Sequence, residues 1–436
     1  MKKKILRVIC ILLCFAIILV SISFFQKEKP ANQQIETTEN ASVSNTVVES
    51  STELVTEADT TTQIESTTET TTLFQIPTVS IPPLENSPMS ANSGELGRLV
   101  TQVAEKYGAV GVQVATIKNG IVSSTAEYGW ATIDEKPMTA DTKIRIASLS
   151  KTVVGMVVFK LIEDGKLSLD MDISDYLGVE VKHPEYPDLP ITLRMLLTHT
   201  SGIVDNGYQQ SLEEIREYLK TPEAYKEKPG EIYKYNNYGF GLVGTICECV
   251  TNKSLNALAK QYFFNPMGIK VSYLGGQLDK NKVACLYNNK SEITLSVEDS
   301  TDLTSDNTKP GSRMMIYAGG IMTSATDFAR LLTVLINDGI YNGVELLSKE
   351  SITQMHTPKS SVQCMPMKKM NGLYNQEYMY YHTGSAYGVY SLYVYNPDTK
   401  TGVVVTTTGA KVSKDSYGIY SVCGDIVDGI VKNDLF

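Results

Sequence analysis

From residue 93 onward the apolar positions follow two periodicities, and their order predicts an architecture. Leu96, Leu99, Val103 and Ala104 recur at the spacing of one helix face, which predicts a helix over Glu95–Tyr107. Alternation then takes over. Val110–Ile117 reads as a strand, Lys118-Asn119-Gly120 as a turn, and Ile121–Trp130 as the returning strand of a hairpin. Val153–Ile162 is an apolar helix closed by Glu163-Asp164-Gly165. Between residues 167 and 338 the pattern is mostly helical with long connections, and Ile191–His199, Phe240–Val250 and Asp327–Ile336 each predict a helix. Strand patterning returns in Tyr378–His382, Val389–Tyr395 and Val403–Thr408, with a turn from Asn396-Pro397-Asp398 through Gly402. Ser416–Val431 reads as a closing helix. Strands at both chain ends with helices between them predict an α+β fold. Its antiparallel sheet comes from both chain ends and is flanked by helices, with an inserted, mostly helical subdomain. No repeat of fixed period is visible.

The first 92 residues obey neither periodicity. Lys2, Lys3, Lys4 and Arg7 precede an uncharged apolar run, Val8–Phe25, long enough to cross a bilayer as a helix. The basic cluster places that end in the cytoplasm. No small-x-small cleavage pattern follows, since Ser21-Ile22-Ser23 runs into Phe24 and Phe25, and Leu13 before Cys14 is too bulky for lipoprotein processing. An uncleaved single-pass anchor over residues 1–29 is therefore favoured over a cleaved signal peptide, with the remainder of the chain extracytoplasmic in the cell membrane. Residues 30–92 are rich in Thr, Ser and Glu, including Thr60-Thr61-Thr62 and Thr70-Thr71-Thr72. Too few large apolar residues are present to offset ordering entropy, so a disordered tether is expected, with a reach of about 40 Å. Residues 93–436 form the folded domain.

Composition narrows the function classes. Formal net charge is -9, and no dense basic run occurs outside the N-terminus, which excludes nucleic acid as an expected partner. Of seven cysteines, Cys10 and Cys14 lie in the apolar run. Cys247, Cys249, Cys285, Cys364 and Cys423 form neither an even disulfide set nor a metal-ligand spacing and read as small buried side chains. Structural zinc is therefore not expected.

Three short motifs carry the candidate chemistry. Ser148-Leu149-Ser150-Lys151 is the one Ser-x-x-Lys of the chain. At a helix start, residues three apart share a face, so Lys151 can reach the Ser148 hydroxyl. A serine hydroxyl is a weak nucleophile until a base takes its proton, and a lysine serves once its pKa is lowered. The second motif, Tyr235-Asn236-Asn237, follows Pro229-Gly230 and leads into a Gly-rich helix. It offers a phenol for proton shuttling and an amide for orienting substrate. A phenol beside two positive groups is expected to titrate below its usual value of about 10. The third is His382-Thr383-Gly384-Ser385 on a late strand, whose edge can present backbone groups to a peptide-like substrate. Tyr287-x-Asn289 lacks the Pro-Gly lead-in, and Lys400-Thr401-Gly402 lies in a hairpin turn, so both are set aside. His199 reads as a packed, hydrogen-bonded residue at a helix end, and Tyr378, Tyr380, Tyr381 and Tyr390 are divided between cleft lining and sheet packing.

The order Ser-x-x-Lys, Tyr-x-Asn, His-Thr-Gly resembles the serine β-lactamase and penicillin-binding protein superfamily. The branch most resembled holds class C β-lactamases, D-alanyl-D-alanine carboxypeptidases and related esterases. Ile191-Thr192-Leu193-Arg194-Met195-Leu196-Leu197-Thr198-His199-Thr200-Ser201-Gly202 and Ala318-Gly319-Gly320-Ile321-Met322-Thr323-Ser324 extend the resemblance over about residues 95–432. The resemblance implies a β-lactamase/transpeptidase-like fold and an acyl-enzyme on Ser148, with no metal or organic cofactor. Lys151 and Tyr235 would share the general-base role, and Asn237 would hold the substrate amide. His382 and Thr383 would line the site, with Ser148 and Ser385 backbone N–H groups at the oxyanion. Partners would be a small-molecule or peptide substrate, peptidoglycan among them. Histidine at position 382, where the lactamases of this superfamily carry lysine, points toward D,D-peptidase-like, esterase or D-amino-acid amidase activity. Antibiotic hydrolysis ranks lower, as does a non-catalytic penicillin-binding sensor.

Overall fold

The computed structural model describes residues 94–436, except 206, 208, 307, 308 and 361. The expected anchor and tether lie outside the described residues. Helix α1 (Glu95–Lys106) leads into strands β1 (Gly111–Lys118), β2 (Ile121–Thr132) and the short β3 (Lys136–Pro137). The middle of the chain supplies helices α2 (Ser150–Glu163), α3 (Leu193–Leu197), α4 (Asn237–Thr251), α5 (Ala325–Ile336) and α6 (Lys349–His356), with shorter turns between them. The C-terminal part gives β4 (Lys368–Asn371), β5 (Tyr378–Ala386), β6 (Val389–Asn396), β7 (Thr401–Thr408) and helix α7 (Ser421–Lys432).

Strand β1 is the seam where the chain ends meet. It pairs antiparallel with β2 on one side and with β7 on the other, Val114 opposite Ala126 and Val405. The seven-stranded order is β4-β5-β6-β7-β1-β2-β3. Alternation assigns the faces. Val112 and Val114 pack with α1 and α7 residues such as Val100 and Ile426, whereas Ala115 and Ile117 join the larger core on the helical side. Both sheet faces are thus covered, and β1 is buried along nearly its whole length. The mixed fold with a large antiparallel sheet is the one expected.

Helix α2 passes through the larger core. Val153, Val154, Met156, Val157, Val158, Phe159 and Leu161 are all buried, so it is apolar nearly all round and has no solvent face to rotate toward. That enclosure fixes whatever its first turn carries.

Several boundaries differ from the sequence expectation, and three of them have a visible local reason. The closing helix begins at Ser421, not Ser416, because Asp415 Oδ1 accepts from Tyr417 N and Ile419 N, both at 2.9 Å, and holds a loop. Thr401 and Gly402 belong to β7, so the turn ends at Lys400, whose φ is 53°. The helix expected over Ile191–His199 is confined to Leu193–Leu197, capped by the Thr192 side chain and ended before His199, which takes a φ of 59°. Among the described residues no helix is long and apolar enough to cross a membrane.

Candidate active site

The Ser148 turn is held from several sides. Ala147 sits at a left-handed φ of 51°, and residues Ala147–Leu149 form one 3-10 turn before α2. A non-glycine residue there costs on the order of 1–3 kcal/mol and persists where neighbours enforce it. The neighbours are visible. Ser150 Oγ donates to Ala147 O at 2.7 Å and accepts from Ile321 N at 3.0 Å. Ile146 N donates to Ile321 O at 3.0 Å, and Ser391 Oγ of β6 donates to Ile146 O at 2.8 Å. Ser148 itself stays half-buried, with its hydroxyl available.

Lys151, in the first turn of the enclosed helix, is 0% exposed. Its Nζ lies 3.2 Å from Ser148 Oγ, 2.8 Å from Asn237 Oδ1 and 2.7 Å from Ala318 O. Burial lowers its pKa to about 7, against an opposing pull from Asp205. The hydrogen-bond inventory suits the neutral amine. Two N–H groups satisfy the Asn237 and Ala318 oxygens, and the lone pair is left for the Ser148 proton. The rings of Tyr235 and Phe240 lie 4.9 Å and 5.5 Å from Nζ, where a protonated lysine gains cation–π attraction.

Tyr235 donates its hydroxyl to Ser148 Oγ at 2.8 Å. Its pKa is raised, chiefly by burial and against the Ser148 hydrogen bond, and the 37% exposure of the residue moderates that rise. The expected downward shift is therefore reversed. Desolvation is the largest cause, and the neighbouring groups Tyr233, Asp205 and Tyr420 push the phenol in the same direction. Asn237 opens α4, which Asn236 caps by accepting from Gly239 N at 2.7 Å. Asp205 Oδ1 accepts from Tyr238 N at 2.9 Å, and its Oδ2 accepts from Asn237 Nδ2 at 3.2 Å. One carboxylate thus orients the Asn237 amide and completes the helix N-terminus.

The third motif runs beside the Ser148 turn. A Cβ on Gly384 would lie 2.6 Å from Ile146 O and 3.1 Å from Ser148 N, so only glycine lets β5 approach the turn this closely. The pairing of β4 with β5 ends at Lys368 opposite Tyr381, which leaves the edge of His382–Ala386 clear of β4. His382 is buried, its Nδ1 2.8 Å from Thr383 O, and burial followed by Lys151 lowers its pKa to about 3. It is a neutral imidazole at ordinary pH. Thr383 is half-buried and Ser385 exposed.

The structure therefore brings Ser148, Lys151, Tyr235 and Asn237 together by direct contact and places the strand of His382, Thr383, Gly384 and Ser385 beside them. Asp205 and the Ala318 carbonyl were missed. Asp205 lies in a loop with no motif of its own. Ala318-Gly319-Gly320 is part of the family resemblance, but a backbone oxygen leaves no residue-type signal. Tyr317, next to Ala318, is tied by its hydroxyl to Glu248 of α4, a buried carboxyl pushed up to about 7. Tyr378 and Tyr380 line a separate cavity of about 630 Å³ together with His356 and Asp398, and the buried Tyr395 stacks on Tyr380. Tyr287 is buried, its hydroxyl accepting from Ile133 N at 3.0 Å. His199 is packed and hydrogen-bonded, as expected. Cys247, Cys249, Cys285, Cys364 and Cys423 are free thiols, all buried except the half-buried Cys249. Among the described residues no group of three His, Cys, Asp or Glu is placed to hold a metal ion.

Comparison with known proteins bears on the family and the fold. The family model described as Beta-lactamase matches residues 96–420. Protein flp of Staphylococcus aureus is 23% identical over 325 residues, covering 71% of this chain and 62% of the relative, so the chain spans less than two thirds of that protein's length. Among solved structures, the octameric penicillin-binding protein homologue from Pyrococcus abyssi superposes with a TM-score of 0.61 at 22% identity, covering 78% of this chain and 77% of the other. The D-amino acid amidase from Ochrobactrum anthropi gives a TM-score of 0.58 at 21% identity, with 79% of this chain and all of the other covered. At such identities the structural likeness concerns the fold.

Proposed function

This chain belongs to the Beta-lactamase family, and from that premise we propose that it is an extracytoplasmic serine hydrolase of D,D-peptidase type, acting on cell-wall peptides through an acyl-enzyme. The observation that carries the proposal is Ser148 Oγ between Lys151 Nζ at 3.2 Å and Tyr235 Oη at 2.8 Å. Neutral Lys151 takes the Ser148 proton as Oγ attacks the scissile carbonyl carbon. The oxygen of that carbonyl gains negative charge beside the Ser148 and Ser385 backbone N–H groups. As the C–N bond breaks, the departing amine receives a proton through Tyr235, which Lys151 resupplies. Water then repeats the sequence on the ester and restores Ser148. Asn237 holds the substrate amide, and the β5 edge from His382 to Ser385 pairs with the substrate backbone.

Two lysines favour a substrate with a terminal carboxylate. Lys368 lies 5.5 Å over the ring of Tyr233, and Lys414 lies 5.7 Å over the ring of Tyr420. The pKa of Lys368 is lowered first by burial and then by Lys414, with no acidic group among the causes. Among the described residues no carboxylate acts on Lys368, and a half-buried cation of this kind, whose charge reaches the neutral His382, suits an anionic substrate group.

A second reading is an esterase or D-amino-acid amidase on the same residues. The neutral His382 favours it, since it offers no fixed charge for a carboxylate, and the likeness to a D-amino acid amidase fits as well. The test is intact-mass analysis of the full chain after incubation with benzylpenicillin, beside product assays on a D-alanyl-D-alanine peptide and a short acyl ester. A Ser148 adduct with peptide cleavage that falls at least tenfold in Lys368→Ala supports the peptidase reading. Ester cleavage with neither adduct nor peptide product overturns it in favour of the second.

A further inference from the structure

We propose that His199 is a positioning residue for Tyr235, gripping the backbone on both sides of it. The inference rests on the reading that Tyr235 shuttles protons. The carbonyl of His199 accepts the Lys234 N–H at 2.8 Å, and its Nδ1 accepts the Asn236 N–H at 3.1 Å. One residue thus holds the peptide groups before and after Tyr235. The imidazole also packs against the Tyr235 ring, with centroids 4.5 Å apart and planes 38° apart. Phe240 at 5.2 Å and Tyr233 at 5.8 Å close the remaining sides.

The backbone of His199 is shaped for this grip. Its φ of 59° directs both the carbonyl and the ring toward residues 233–236, and histidine is among the residues that tolerate that region better than most. An Nδ1 that accepts a backbone N–H carries no proton, so the imidazole is the neutral Nε2–H tautomer. Protonation would set an N–H of the ring against the N–H of Asn236 and release the grip. The residue is 2% exposed, and burial, Lys151, His382 and Lys368 all oppose protonation, holding its pKa well below the usual range. Its Nε2 is buried with no hydrogen-bond partner among the described residues. Leaving a buried donor unmatched costs stability, which fits a ring retained for what Nδ1 and the ring face do to Tyr235.

The grip matters because Tyr235 must hold its hydroxyl on Ser148 Oγ at 2.8 Å while being 37% exposed. A solvent-facing tyrosine has free rotamers unless its backbone and ring are fixed. Reacting groups displaced by about 1 Å lose roughly a hundredfold in rate.

The experiment is a double-mutant cycle on the single-turnover acylation rate of the full chain with an activated acyl ester. The variants are His199→Phe, Tyr235→Phe and the pair, with thermal unfolding recorded for each. His199→Phe keeps a ring and removes the acceptor. It is expected to lower acylation about 10–100-fold with KM little changed, and to add less than threefold on the Tyr235→Phe background. His199→Asn keeps a short acceptor, tolerates the left-handed backbone, and is expected to return acylation to within about threefold. Full additivity of the two substitutions, or no loss in His199→Phe, overturns the positioning role. No loss in Tyr235→Phe overturns the proton-shuttle reading beneath it, a separate result. If His199→Phe does not fold, His199→Leu, which also lacks the acceptor, takes its place in the cycle under the same criteria.

Discussion

Lys151 Nζ and Asn237 Oδ1 lie 2.8 Å apart although 86 residues separate them in sequence. One stands in the first turn of a helix enclosed by core, and the other opens a second helix under the direction of Asp205. The amide oxygen occupies one N–H of the amine and the Ala318 carbonyl another. The direction of the remaining lone pair follows from these two contacts, and it is toward Ser148. Preorganisation of the proposed base is thus a product of two helix starts meeting.

Replacement of the proposed nucleophile, Ser148, is the simplest check. Ser148→Ala is expected to lose roughly a thousandfold or more in turnover and to form no covalent adduct. The change removes one half-buried hydroxyl, so the unfolding midpoint should move little. Intact-mass and thermal-unfolding measurements on the same preparation separate the outcomes. Wild-type turnover by this variant would exclude the acyl-enzyme.

The pH dependence has a definite sign. With its pKa lowered to about 7, Lys151 becomes a competent base as pH rises, so acylation should climb through about pH 7 and level off above it. His382, at about 3, is already neutral in that range and should contribute no limb there. Stability carries the same signature. The unfolded chain keeps the lysine proton up to about 10.5, whereas the folded chain releases it near 7, so folding becomes more favourable as pH rises between those values. A rate profile flat from pH 6 to 9 would contradict Lys151 as the base.

Asp205 opposes the burial effect on Lys151, since its negative charge favours the ammonium. Asp205→Asn should therefore move the acidic limb of the acylation profile to lower pH. It also weakens the hold on Asn237 Nδ2 and Tyr238 N, so the plateau should fall, by roughly tenfold for one lost orienting charge-assisted bond. A limb that moves upward would mean that the carboxylate does not act on Lys151.

Gly384→Ala tests the close approach of β5 to the Ser148 turn. The added Cβ would meet Ser391 Oγ at 2.3 Å and Ile146 O at 2.6 Å, and the second of these is backbone, which yields little. Overpacking of this kind costs about 1–3 kcal/mol and displaces the Ser148 N–H. Urea unfolding should show a lower midpoint, and the acylation rate should drop with it. An unchanged midpoint together with an unchanged rate would mean that the strand stands farther from the turn.

What the sequence determined by itself is what depends on neighbours in the chain. Helix-face spacing located α1, α4 and α5, alternation located β1, β2, β6 and β7, and the three-residue interval of Ser148 and Lys151 already put both on one side of a helix start. The order of Ser-x-x-Lys, Tyr-x-Asn and His-Thr-Gly picked out segments that the fold brings together, legible for the same reason, since each motif is contiguous. The tertiary structure alone decided how those segments meet. Asp205 against Asn237, Ala318 O against Lys151, Gly384 against the Ser148 turn and His199 around Tyr235 join positions from 32 to more than 200 residues apart. Such contacts leave no period and no spacing, because they arise where separately folded surfaces fit. The direction of the Tyr235 shift belongs to this second class. Charges can be counted along a chain, but desolvation exists only once the chain has closed around the group.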